Sequence, residues 1–134
     1  MKRLFRIYAV ADIHGNADRL SVVEKNVTEL KPDLLIIPGD IAGFFSKNQT
    51  LKRLGALDIE IMAVRGNSDI FMSDRDFASF GIIPLHLAQI QKEGFKLVGI
   101  NGALPLPFHT RIRFNERALE KKLMGLVDTK TILV

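Results

Sequence analysis

The chain has 134 residues, 47% of them hydrophobic and 25% charged, with a net charge of +4 and no cysteine. That length suits one domain with a single core. The missing cysteines exclude disulfides and thiolate metal ligands, so any metal site has to use His, Asp, Glu or Asn. No apolar run approaches the ~20 residues a membrane-spanning helix needs. With no small-residue cleavage site behind a hydrophobic stretch, the expected location is cytoplasmic.

Residues 4–11 read as a buried strand. It runs into Ala11-Asp12-Ile13-His14-Gly15-Asn16, a polar cluster at the strand end. In extended backbone, positions i and i+2 project to one side. The expectation is therefore that Asp12 and His14 aim a carboxylate oxygen and an imidazole nitrogen at one point, as a divalent transition metal requires.

Asn16 or Asp18 is placed to cap a helix reaching about Lys31, with Leu20, Val23, Val27 and Leu30 on one apolar stripe and Pro32 as its stop. Residues 33–38 form a short continuous apolar run, the pattern of a strand covered on both faces in a parallel sheet, and it ends at Gly39-Asp40. A weaker helix over about 48–54 leads to a third strand at 59–64, which ends at Arg65-Gly66-Asn67-Ser68-Asp69. The intervals from Asp12 to Asp40 and from Asp40 to Asn67 are nearly equal, each close to the ~30 residues of one βαβ unit. Three polar clusters thus fall at the carboxyl ends of successive parallel strands, where open α/β sheets bind ligands.

Beyond them, a short helix around 74–80 is expected to bury Phe77 and Phe80. Residues 85–91 and 95–100 read as a β-hairpin joined through Lys92-Glu93-Gly94. A Pro-punctuated loop over 103–113 follows, then a helix over about 115–126 with Leu119, Leu123, Leu126 and Val127 on its stripe, then a strand pattern at 130–134. The fold class is α/β: βαβ units with a largely parallel sheet, plus a β-hairpin.

Asp12, His14, Asp40 and Asn67 together offer two carboxylates, an imidazole and an amide oxygen. A carboxylate bridges two ions by giving one oxygen to each, and Asp40 on the middle strand is placed to do so. Two divalent ions ~3.5–4 Å apart stabilise the attacking and leaving oxygens of phosphoryl transfer.

The series Asp12-Ile13-His14, Gly39-Asp40 and Gly66-Asn67-Ser68-Asp69 resembles the calcineurin-like metallophosphoesterases, whose hallmarks D-x-H, G-D and G-N-x-[DE] each follow a strand and precede a separate His and a G-H-x-H. The resemblance implies a sandwich of two mixed sheets flanked by helices, of which this chain would be the N-terminal part. It also implies hydrolysis of a phosphomonoester or phosphodiester by a metal-bound hydroxide. The cofactor would be Mn2+, Zn2+ or Fe2+, with Asp12, His14, Asp40 and Asn67 as metal-binding and catalytic residues.

Two departures bear on activity. Ser68 stands where relatives carry the His proposed to protonate the leaving group, and a hydroxyl is far too weak an acid for that near neutral pH. Asp69, which would orient that His, lacks its usual partner. The later metal-binding histidines are absent, so by the resemblance the first ion keeps Asp12, His14 and Asp40 while the second keeps Asp40 and Asn67. The expectation is a single, truncated domain with impaired activity; the alternative is an inactive or split member serving as a binding or complementing module.

Asn16, Arg65 and His109 are candidates for substrate contact, whereas His86 in the hairpin reads as structural or solvent-facing. A last strand with nothing after it implies an open edge, and hence a homo-oligomer or a complementing chain. The excess positive charge leaves nucleic acid open as a partner, although no recognition-helix or RNA-binding signature accompanies it.

Overall fold

The computed structural model of the protein describes residues 3–102 and 115–134. Its first sheet has four parallel strands in the order β1 (Ile7–Ala9), β2 (Leu34–Pro38), β3 (Glu60–Val64) and β4 (Ile83–Pro84). Helices α1 (Ala17–Leu30), α2 (Lys47–Gly55) and α3 (Asp74–Ser79) fill the crossovers. Each strand is added on the same side of its predecessor, so right-handed crossovers put all three helices on one face. On that face Leu20 and Val23 of α1, Leu51 and Leu54 of α2 and Phe77 of α3 pack against Leu35, Ile37, Ile61 and Ala63.

The opposite face carries the alternate residues Leu34, Ile36, Met62 and Val64. They pack against Leu85, Leu97, Ile90, Phe95 and Val134 of the second layer. Burial on both faces is why 34–37 reads as unbroken Leu and Ile. Each such side chain stabilises the fold by roughly 1.5–3 kcal/mol, which makes β2 and β3 a stiff base for whatever their carboxyl ends carry.

The second sheet contains β5 (Gln89–Lys92), β6 (Phe95–Val98) and β7 (Thr131–Leu133). β5 and β6 are antiparallel, and β6 and β7 are parallel, with α4 (Glu116–Leu123) in the connection. The two-residue turn Glu93-Gly94 has φ of 26° and 91°, the positive values that match a tight turn to the twist of a hairpin. The α/β class, the parallel sheet and the hairpin agree with the expectation, and so do the two layers.

Local signals set most boundaries. Asn16 Oδ1 accepts the Asp18 and Arg19 amides at 3.0 Å, and Lys31 closes α1 in the left-handed region at φ 45° before Pro32. Ser73 and Asp76 form a reciprocal capping box on α3.

The region after α3 differs from the expected long strand at 85–91. Ile83 and Pro84 first pair with β3, extending the parallel sheet, and the chain then crosses between layers. Leu85 donates its N–H to Ala63 O at 2.9 Å and Leu87 donates to Gly99 O at 2.9 Å. Gly99 is required in that crossing, because a Cβ there would overlap Val64 and Leu85. The first strand and last helix are also shorter than expected, and Phe80 is only half-buried. The expected loop at 103–113 lies outside the described residues.

Candidate metal centre

β1, β2 and β3 are parallel neighbours, so their carboxyl ends lie side by side, followed by Asp12, Asp40 and Asn67 respectively. The loops are tied together by backbone: His14 donates to Asp40 O at 2.9 Å and Gly15 donates to Ile41 O at 2.8 Å. Gly15 has φ 66° and no room for a Cβ, which would overlap Ser46 at the start of α2.

Asp12, His14 and Asp40 come together. One ligand atom from each lies within 4.8 Å of the others, and His14 Nε2 is 3.5 Å from Asp12 Oδ1. The convergence does not come from extended backbone, as the i, i+2 spacing suggested. Asp12, His14 and Asp40 have φ of 57°, 52° and 52°, in the left-handed region. Non-glycine residues there cost on the order of 1–3 kcal/mol each and persist only where the surroundings hold them. Ile13 between them is 1% exposed and packs into the helical core with Leu20 and Val23, anchoring the turn. Arg19 of α1 adds a hydrogen bond from Nη1 to Asp12 O.

The second restraint is Asp69, which is fully buried. Its Oδ1 accepts the N–H groups of Ile41 and Ala42 at 2.8 and 3.2 Å, and its Oδ2 accepts that of Gly66 at 2.8 Å. One carboxylate therefore clamps the loop after β2 to the loop after β3. Burial holds the Asp69 carboxyl above its usual range, and these three N–H donors offset only part of that rise. Without the His that is its usual partner, Asp69 takes backbone amides instead, two of them from the loop after β2, far from it in the sequence.

Two glycines permit the same close approach. A Cβ on Gly39 would lie 2.7 Å from Gly66 Cα and N, and one on Gly66 would overlap Asp40. Ser68 then donates both its hydroxyl, at 2.6 Å, and its backbone N–H, at 3.1 Å, to Asp40 Oδ1.

Asn67 sits between Gly66 and Ser68, the two residues packed on Asp40, and is half-buried. Asn16 is the cap of α1, with its amide oxygen engaged there. Arg65 is held within the fold: Nη1 donates to Met72 O at 3.0 Å, Nε lies 3.8 Å from Asp74, and its backbone N–H donates to Asn101 Oδ1 at 2.7 Å. His109 lies outside the described residues. His86 takes a structural role, its Nδ1 accepting the Asn101 N–H at 3.0 Å, and burial lowers its pKa.

The donor set suits a divalent ion. Ligand atoms bound ~2.1 Å from one ion lie no more than ~4.2 Å apart, so atoms within 4.8 Å close on it with a shift of roughly half an ångström. Two carboxylates and an imidazole also match the preferences of Mn2+, Zn2+ and Fe2+.

A family model described as calcineurin-like phosphoesterase matches residues 5–124. The chain belongs to that family. Calcineurin-like phosphoesterases use divalent metal ions, and this chain carries its Asp-His-Asp group where such an ion fits. The uncharacterized protein MJ1162 of Methanocaldococcus jannaschii is 28% identical over 132 residues, which cover 95% of this chain. The match spans 57% of that relative's own length. Among solved structures, TT1561 of Thermus thermophilus superposes with a TM-score of 0.78 at 17% identity, over 97% of this chain and 67% of its own. AQ665 of Aquifex aeolicus, a protein of unknown function, gives 0.51 at 18% identity, over 89% and 69%. These structural likenesses show that the chain shares its fold with those proteins. No helix among the described residues is long and apolar enough to cross a membrane.

Proposed function

We propose that the chain hydrolyses phosphate esters at the Asp12–His14–Asp40 cluster, with Mn2+, Zn2+ or Fe2+ as cofactor. The observation that supports this reading is the convergence of those three donors on strand ends clamped by Asp69. Asp12, His14 and Asp40 would hold a divalent ion, which when bound would supply Lewis-acid charge for the phosphoryl oxygens and for activating water. Asp12 and Asp40 contribute negative charge and His14 a ring nitrogen. Because Ser68 grips Asp40 through Oδ1, the rotation of the whole carboxylate is set and Oδ2 is oriented with it. Asn67, on the same loop as Ser68, would offer an amide oxygen to a second ion, for which fewer ligands are present than for the first.

Ser68 cannot donate a proton efficiently to a departing alkoxide near neutral pH. Turnover should therefore be slow and should depend steeply on the leaving group, favouring phosphomonoesters and phosphodiesters whose alcohols are acidic. Hydrolysis of an aryl and an alkyl phosphate series with added Mn2+ tests this. The expected result is a steep leaving-group dependence, with activity lost in Asp40→Asn and on chelation. Absence of turnover with all three metals would overturn it.

A second reading is a binding module that needs another chain, whether a second copy or a complementing polypeptide. It is favoured by β1 and β7 each forming an edge of its sheet, with Ile132 and Leu133 of β7 39% and 54% exposed. Exposed edges pair with other chains. Light scattering at micromolar concentration distinguishes a dimer from a monomer, and a monomer that turns over substrate removes this reading.

A further inference from the structure

Phe44, Phe45 and Phe71 are 60%, 98% and 49% exposed. They nevertheless touch one another: Phe44 meets Phe45 edge to face with ring centroids 5.1 Å apart, and meets Phe71 in the same way at 4.9 Å. Single exposed apolar side chains are ordinary, but a contiguous aromatic cluster marks a binding surface.

The cluster is carried on loops that leave the candidate metal centre. Phe44 and Phe45 lie in the loop that leaves β2 at Asp40, and Phe71 lies in the loop that leaves β3 through Asn67 and Ser68. Four residues from Asp40 to Phe44 span at most ~14 Å, and three from Ser68 to Phe71 at most ~11 Å. Both loops are held at their bases by Asp69, through Ile41 and Ala42 on one and Gly66 on the other. The tip of the first loop is closed by Ser46, whose Oγ accepts the Gly43 N–H at 3.1 Å and so presents Phe44 and Phe45 on a short turn. The aromatic rings are thus carried on the two restrained loops that leave the candidate metal centre, with Phe44 within ~14 Å of chain from Asp40.

Resting on the phosphoesterase reading, we infer that Phe44, Phe45 and Phe71 form a subsite for a planar aromatic group carried by the phosphate ester. An aromatic ring is the occupant these residues suit. Phenylalanine edges and faces pair with π-systems of any substitution pattern, as aromatic platforms do with nucleobases. The cluster itself offers no hydrogen-bonding side chain to read an edge, so it recognises ring shape and leaves open whether the ring is a nucleobase or an aryl group.

Binding separates ring recognition from leaving-group acidity, which would confuse a rate. Phosphonates resist hydrolysis and serve as probes: benzylphosphonate, a nucleoside 5′-methylenephosphonate and propylphosphonate, each titrated into Zn2+-loaded protein by calorimetry with the phenylalanine ring signals followed by NMR. The expected result is about tenfold tighter binding of the ring-bearing phosphonates than of propylphosphonate, in line with stacking on aromatic side chains. The signals of Phe44, Phe45 and Phe71 should shift. Phe45→Ala and Phe44→Ala should remove the preference and leave propylphosphonate affinity unchanged. A larger gain for the nucleoside probe assigns a nucleobase, and a larger gain for the benzyl probe an aryl group. Equal binding of all three overturns the inference while sparing the phosphoesterase reading, as do ring signals that move only with protein concentration, which would mark self-association. Failure of every phosphonate and of inorganic phosphate to bind removes both.

Discussion

Ser68 and Asp40 are joined twice across two loops, by hydroxyl and by backbone N–H, and both bonds end on the same carboxylate oxygen. On the proposed reading, Ser68 is therefore an orienting group for a candidate metal ligand. Ser68→Ala should weaken Mn2+ binding about tenfold, the lower end for groups that orient ligands. The backbone bond remains, so folding stability should change by less than about 1 kcal/mol. Calorimetric titration of Mn2+ beside a urea melt checks both halves.

Asp69 is the clamp on which the centre depends. Asp69→Ala strands three backbone N–H groups, at Ile41, Ala42 and Gly66, and leaves a void in a fully buried position. The expected loss is about 3 kcal/mol or more. It should appear as a lower urea midpoint, with metal affinity falling in the folded fraction because the two loops separate.

Gly39 supplies the close approach. Its φ is 95°, and a Cβ would press on Gly66 at 2.7 Å, backbone against backbone. Gly39→Ala should destabilise by more than about 1 kcal/mol through combined strain and overlap. Gly94, at φ 91° on the hairpin turn with open space around it, provides the control: Gly94→Ala carries the strain without the overlap. A urea comparison in which both variants lose equally would show that the Gly39–Gly66 contact has slack.

His86 should make stability pH-dependent. Burial lowers its pKa from the usual 6.5, so over the window just below 6.5 the unfolded chain binds more protons than the folded one. Stability therefore rises with pH through that window and is lost as pH falls below 6.5. Protonation also removes the Nδ1 acceptor that takes the Asn101 N–H. His86→Asn offers an amide oxygen as acceptor without a titrating ring. The difference between wild type and His86→Asn in urea midpoint should change between pH 7.5 and 5.5, with wild type losing more on acidification; a constant difference would sink the assignment.

Much of the architecture was legible in local pattern. The unbroken Leu-Leu-Ile-Ile of β2, the single stripe of α1 with Asn16 before it and Pro32 after it, and the nearly equal intervals between Asp12, Asp40 and Asn67 all depend on near neighbours. Chain direction and handed crossovers then place the three clusters side by side. That is why the motif residues stand out in the sequence itself.

What the tertiary structure alone decided lies in contacts between residues far apart in the chain. Asp12, His14 and Asp40 converge through left-handed turns, and those turns are stable because Ile13 is buried and Asp69 bonds to amides on another loop. Ile83-Pro84 became a strand because β3 had a free edge, although a proline and two residues gave no periodicity to read. Phe44 and Phe71 meet across the loops after β2 and β3, which Asp69 ties together at their bases. Sequence pattern reports which residues share a strand or a helix face; backbone strain held by distant packing, and side chains brought together from separate loops, have no local signature and exist only once the sheet has formed.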